Sequence, residues 1–360
     1  MATLNATQQA LLKYSTVTEN KLPSVNLDAI DQNLLFQYAI SNKVLPLVWF
    51  NLQKAGFKFY KYTHFALKCI YIGASKANAI YFSELSRLEE AFRKAGILCL
   101  PVKGAMLAQC VYKDLGLRFL GDIDFLVRHQ DKNTLDSVMK QLSYVQGTYD
   151  INTNQITPMS RFEKIKWDLN MSNIFPYQRT IDSEYLPVIK VDFRFALDDG
   201  LNHEPVNQMI REAMSNEGKI CPAHALVHLC THLYDEAKQS MNISIRKDIN
   251  LIKFIDIREY IISFISDKDM QDAIGFAIQH NLCKQMYYSL YFLQMLYNDG
   301  YENKILETLS LEIDDYDFLF TYGENTCGAQ THWKKDFYTR LFAGDNKDEL
   351  LIQPKYFISE

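Results

Sequence analysis

Asp122 and Asp124 stand at alternate positions of the run DIDFLV, residues 122–127. In a strand, residues two apart project from one face, so both carboxylates point one way while Ile123, Phe125 and Val127 face a core. Two carboxylates held that close repel, and each has its pKa raised. A divalent cation between them removes the conflict, and hard oxygen donors suit Mg2+ or Mn2+. The pair alone also describes a solvated strand edge. Asp192 adds a third carboxylate in the middle of another strand-like run, where aspartate is disfavoured unless something there requires it. If the two strands run side by side, the three carboxylates form the ligand set for two metals bridging an incoming nucleophile and a triphosphate. The plainer alternative is that Asp192 only pairs with Lys190 and Arg194 on its own face.

Lys103-Gly104 precedes a helical pattern. Gly104 lets backbone approach a ligand, the helix start near Ala105 offers free N–H groups to a phosphate, and Lys103 adds a positive charge. Without other support such a pair is simply a turn. Arg118 reads as a phosphate clamp, as a partner for one aspartate, or as a surface arginine. His224, His228 and His232 recur at every fourth position of one helix. They span about 12 Å, too far for all three to bind one ion, so they read first as cleft-lining or hydrogen-bonded core residues. Arg246, Lys247, Lys253 and Arg258 follow with Asp248 and Asp256. Lys253 could reach a phosphate, although an ion-paired helix face is plainer. GxSxG, GxGxxG and the Walker loop are absent.

The elements that must carry these residues read as helical, then α/β, then helical. Residues 1 to about 95 show three- and four-residue apolar spacing, clearest at Ser83–Ala95, where Leu85, Leu88 and Phe92 share a face and Gly96 follows as a stop. Glu84, Arg87, Glu90 and Lys94 lie off that face. Ile97–Val102 reads as a buried strand, Ala105–Asp114 as a helix, Asp122–Val127 as a second strand, and Leu135, Val138, Met139 and Leu142 as a helix stripe. Residues 144–187 predict strands with irregular connections. Pro187–Leu197 alternates with period two and is the best strand, with a turn at Asp198-Asp199-Gly200. Beyond Pro205 the strongest helices fall at Ala223–Ala237, Ile245–Phe264 and Lys284–Tyr297.

The chain has 360 residues, 48% hydrophobic and 22% charged, which suits an ordinary globular protein and excludes disorder as its main state. A formal charge of -5 gives no general attraction to DNA or an anionic membrane. The N-terminus lacks a basic-then-apolar signal pattern. Seven scattered cysteines without a CxxC pair predict reduced thiols, and with them a cytoplasmic protein.

The string LPVKGAMLAQCVYKDLGLRFLGDIDFLV, residues 100–127, resembles the core of the uncharacterised nucleotidyltransferase-like family within the polymerase-β nucleotidyltransferase superfamily. The family pattern runs strand, Lys-Gly, helix, Arg, Asp-hydrophobic-Asp, with a third acidic residue on a later strand, matched here by Asp192. The resemblance covers roughly residues 83–200 and extends loosely into PAHALVHLCTHL and KFIDIREYI. It implies an α/β (α+β) fold with a mixed sheet flanked by helices. The implied division is an N-terminal helical region at 1–82, the nucleotidyltransferase core at 83–204, and a C-terminal helical domain at 205–360. It implies two-metal transfer of a nucleotidyl group from an NTP such as ATP, with pyrophosphate released, to a small-molecule, peptide or protein acceptor. Asp122 and Asp124 would hold both metals, and Asp192 would complete the site that activates the acceptor. Lys103 and the Gly104 backbone would hold the triphosphate. Two positions depart from the pattern. Gly104-Ala105 replaces the superfamily's Gly-Ser, and Phe193-Arg194 stands where the family often has His-Trp. The rivals are a DxD glycosyltransferase using a nucleotide-sugar, disfavoured because the chain opens with helices, and a binding module that keeps the fold without activity.

Overall fold

The computed structural model describes residues 4–198, 202–323 and 330–351. Its opening elements are helices: α1 (Ala6–Tyr14), α2 (Gln32–Ser41), α3 (Leu45–Lys54) and α4 (Lys61–Lys94). The helix predicted at Ser83–Ala95 is therefore the last part of a longer one. Leu85, Leu88 and Phe92 are buried along it as the spacing requires, and Gly96 leaves the helix at φ +71, a backbone state open to glycine. Glu84 departs from expectation. It is buried rather than solvated, and accepts from Tyr144 Oη at 2.7 Å and Arg179 Nη2 at 2.8 Å, so the helix gains a satisfied polar anchor within its apolar face.

Six strands form one mixed sheet: β1 (Leu100–Val102), β2 (Ile123–Leu126), β3 (Val145–Asp150), β4 (Gln155–Pro158), β5 (Asn173–Thr180) and β6 (Val188–Arg194). Their order is β1-β2-β6-β5-β3-β4. β2 and β6 are parallel, and every other pairing is antiparallel. The return from β2 toward the sheet includes α6 (Lys132–Gln141), after a short α5 (Lys103–Leu107) between β1 and β2. On the buried side Phe125 and Phe193 stack at 5.4 Å, and the Phe92 ring meets both edge-on. Ile123, Val191, Leu135 and Met139 complete that core.

Three expectations change. Of the apolar run Ile97–Val102, only Leu100–Val102 pairs as strand. The stretch 144–187 holds β3, β4 and β5 as expected but also a helix, α7 (Arg161–Asn170). Its Phe162, Ile165 and Leu169 are exposed, so it lacks the inward apolar stripe that marks helices; the signal present was its Ser160–Glu163 capping box. Ile245–Phe264 is not one helix. A turn with Arg246 at φ +57 separates α10 (Ser240–Ser244) from α11 (Leu251–Phe264), both preceded by α8 (Glu204–Ser215) and α9 (Pro222–Lys238). Of the turn predicted at Asp198-Asp199-Gly200, Asp199 and Gly200 lie outside the described residues.

The chain forms two compact units. One is continuous, Ala66–Ala225, and contains the sheet; the other joins Met1–Phe65 to Leu226–Glu360. Within the second unit the two stretches share buried polar contacts. Leu251 N donates to Asn42 Oδ1 at 2.9 Å, and Asn250 Nδ2 to the Ser41 carbonyl at 2.8 Å. Arg258, with no exposed surface, donates to Asp299 at 2.6 and 2.9 Å, to Glu259 at 2.6 Å and to Thr18 at 3.0 Å. Glu259 in turn accepts from the backbone N–H groups of Val17 and Thr18. No helix among the described residues is long and apolar enough to cross a membrane, and the six cysteines described are unbridged.

Candidate active site

Strand register assembles the site. β1 places Val102 opposite Asp124, and β6 places Asp192 opposite Asp124 from the other side. Because β2 and β6 are parallel and in register, residues at matching positions share a face. Asp122, Asp124 and Asp192 each present a carboxylate oxygen within 4.8 Å of the other two, and no other such group of acidic, histidine or cysteine side chains occurs among the described residues. Asp124 is only 7% exposed.

Asp192 pairs with Lys190 on its own face without being confined to that pair. It joins the acidic cluster, and its Oδ2 lies 3.1 Å from Lys190 Nζ, which also stands 3.5 Å from Asp122 Oδ2. Arg194 donates instead to Ser172 Oγ at 3.3 Å. The other oxygen of Asp192, Oδ1, is buried and accepts no hydrogen bond. An orphaned buried carboxylate oxygen is costly, and here it lies among two further carboxylates. Hard anionic oxygens in that number fit Mg2+ or Mn2+.

Lys103 follows Val102 directly and is thereby carried to Asp124. Its Nζ reaches Asp124 Oδ1 at 2.7 Å. Its φ is +51, a left-handed state that costs a non-glycine residue about 1–2 kcal/mol, a strain of the kind that collects at functional sites. The helix that follows is shorter than the Ala105–Asp114 pattern predicts. α5 passes into a π-helical turn at Ala108–Tyr112, and Lys113 ends it at φ +57. Gly104 and Arg118 meet at this point, since a Cβ on Gly104 would lie 2.5 Å from Arg118 Nη1. Bare backbone at 104 is what lets the guanidinium lie there.

Sequence reasoning missed the residues that fix the loop between α5 and β2. Asn78 on α4, buried, donates to the carbonyls of Leu115 and Arg118 at 2.6 and 2.7 Å, and its Oδ1 accepts from Leu120 N. Tyr81, one turn later, donates to the Gly121 carbonyl at 2.9 Å. A buried asparagine within a helix was the available signal, because such a side chain must find partners. Lys190 was noticed only as a pairing alternative.

Lys253 belongs to the other unit, on α11. Its ammonium binds the Glu236 carboxylate and the backbone carbonyls of Lys247 and Asp248. His224 Nε2 lies 3.5 Å from Glu212, His232 Nε2 lies 3.4 Å from Glu236, and the His228 and His232 rings are parallel at 6.5 Å.

Burial pushes the Asp124 carboxyl up to about 6, against the opposing pull of Lys103 and with Asp122 and Asp192 adding to the rise. Burial likewise raises Asp192. Protons and metal compete for the same oxygens. Mn2+ affinity is therefore expected to rise through pH 6 toward a plateau at higher pH and to fall, by up to about tenfold per pH unit for each proton displaced, as the pH drops below 6. Titration calorimetry with Mn2+ at pH 5, 6, 7 and 8 measures this, and a flat profile would count against Asp124 as a ligand.

A mixed sheet whose two parallel strands bring three carboxylates together, with a Lys-Gly helix start beside them, is consistent with a nucleotidyltransferase fold. The chain belongs to the family described as uncharacterised nucleotidyltransferase, whose family model matches residues 28–298. Comparison with curated proteins gave no match, and neither did comparison with solved structures.

Proposed function

We propose that the protein transfers a nucleotidyl group from a nucleoside triphosphate to a nucleophile on a small molecule, peptide or protein. The observation that carries this reading is the in-register pairing of Asp124 with Asp192, with Asp122 within the same 4.8 Å cluster. Asp122 and Asp124 would hold two divalent cations, and Asp192 the one nearer the acceptor. Bound Mg2+ or Mn2+ stabilises charge on the triphosphate and lowers the pKa of the attacking hydroxyl. The acceptor oxygen bonds to the α-phosphorus, the bond from that phosphorus to the β-bridging oxygen breaks, and pyrophosphate carries the electron pair away. The acceptor's proton passes to solvent or to Asp192, whose buried Oδ1 has an unused lone pair. Lys103 is paired with Asp124, Arg118 lies against the bare backbone of Gly104, and these three would supply the positive, sterically open surface a triphosphate needs.

Thermal unfolding with ATP, CTP, GTP, UTP and UDP-glucose, each with and without Mg2+ or Mn2+, tests the reading without knowledge of the acceptor. A ligand at about 100 times its Kd adds about 2.7 kcal/mol, a shift of several degrees. The expected result is a metal-dependent shift with at least one NTP that is lost in the double variant Asp122→Asn, Asp124→Asn. A shift with UDP-glucose alone would redirect the reading to sugar transfer. No shift with any ligand in folded protein would leave the binding module.

A further inference from the structure

Each carboxylate of the triad already faces an ammonium group. Lys103 is ion-paired with Asp124, whereas Lys190 spans the other two, 3.1 Å from Asp192 Oδ2 and 3.5 Å from Asp122 Oδ2. A cation drawn to those two oxygens meets Lys190 there. The charge balance points the same way. Three carboxylates faced by the Lys103 and Lys190 ammonium groups, with the Arg118 guanidinium against Gly104 next to Lys103, leave at most one net negative charge, too little to attract a free divalent ion strongly. A triphosphate carries about four negative charges and two divalent ions carry four positive, so metal and triphosphate arriving together leave that balance unchanged.

We propose, resting on the reading of the triad as a metal site, that Lys190 is a positioning residue that acts as a resident cation. It keeps Asp122 and Asp192 together before metal arrives, and metal must displace it, so metal enters with the triphosphate rather than ahead of it. The lysine lies two residues before Asp192 on β6, on the same strand face, and is one-third exposed, which leaves its long arm free to swing away. A lysine that merely glued the site together would, when removed, weaken metal binding. A resident cation would, when removed, strengthen it.

The test is calorimetric titration of Mn2+, without nucleotide, into wild-type protein and into Lys190→Met, Lys190→Gln and Lys190→Arg. Thermal unfolding of each with Mn2+ and tripolyphosphate accompanies it. Removing one positive charge 3.1 and 3.5 Å from the Asp192 and Asp122 oxygens is expected to tighten Mn2+ binding at least about tenfold in Lys190→Met. The metal-free melting temperature of that variant should fall, and Mn2+ should restore it. Lys190→Gln carries the same expectation if Lys190→Met fails to fold, and Lys190→Arg should bind Mn2+ as weakly as wild type. Folded Lys190→Met or Lys190→Gln that binds Mn2+ no more tightly than wild type overturns the proposal. If Mn2+ with tripolyphosphate still stabilises wild type but not Asp122→Asn, Asp124→Asn, the triad reading stands without it. If Mn2+ has no effect on any of the proteins, with or without tripolyphosphate, both fall.

Discussion

Asp192→Asn is expected to raise the melting temperature of the metal-free protein while removing the metal-dependent chemistry proposed for it. Burial raises the Asp192 carboxyl, and the charge on Asp122 adds to the rise while Lys190 opposes it. A carboxylate whose folded pKa lies above its unfolded value destabilises the fold at pH 7, and stability rises as the pH falls through the folded pKa. The neutral amide removes that penalty at any pH. It keeps an acceptor for Lys190, and it puts a donor where the buried, unpartnered Oδ1 now faces other carboxylates. A gain of a few degrees is expected in thermal unfolding without metal. The same change deletes an anionic oxygen of the proposed metal site, so on that reading the NTP- and Mn2+-dependent shift should vanish and pyrophosphate release should fall at least about 10³-fold, roughly 4 kcal/mol of barrier. A variant that is both less stable and still active would show Asp192 to be a structural ion-pair partner of Lys190.

Arg258→Met should have the largest effect on stability, and none that acts through the acidic cluster. The arginine is fully buried and donates to Asp299, Glu259, Thr18 and the Glu19 carbonyl. Methionine fills much of the same volume but leaves the Glu259 and Asp299 carboxylates without their cation. Removing one member of a buried ion network costs about 3–5 kcal/mol, because the charges left behind remain desolvated. Urea unfolding should show a midpoint lowered accordingly, with the loss seen first by probes in the unit built from both ends of the chain. A loss below about 1 kcal/mol would mean that the network relaxes or takes in water.

The parts of the fold legible in sequence were those with a period. Pro187–Leu197 alternated and became β6; Leu85, Leu88 and Phe92 recurred every three or four residues and became the buried face of α4. α7 was hidden because its apolar residues face outward, so no core stripe marked it. The break before α11 was hidden because apolar spacing runs through Ile249 and Leu251, while the turn depends on Arg246 adopting a left-handed backbone. In the site, the three aspartates could be found from strand positions alone, since strand geometry fixes the face each residue takes. Their shared neighbourhood needed the β2–β6 pairing, which joins residues far apart in sequence. The roles of Asn78, Tyr81 and Lys190 depend on which loop or carboxylate their side chains reach, and spacing carries no such information.

The interrupted unit also sets an order of events at the ribosome. Met1–Phe65 leaves the exit tunnel ahead of Ala66–Ala225, but the stretch it packs with begins only at Leu226, after the whole of Ala66–Ala225 has been made. At about 5–20 residues per second, that gap lasts roughly ten seconds or more. During it Asn42 Oδ1 and the backbone N–H groups of Val17 and Thr18 lack the partners they find in Leu251 and Glu259 of the finished protein. The sheet-bearing unit, continuous in the chain, can meanwhile fold to completion. The nascent protein thus carries a formed acidic cluster while its own first helices still wait for their other half, exposed to whatever holds unfinished chains.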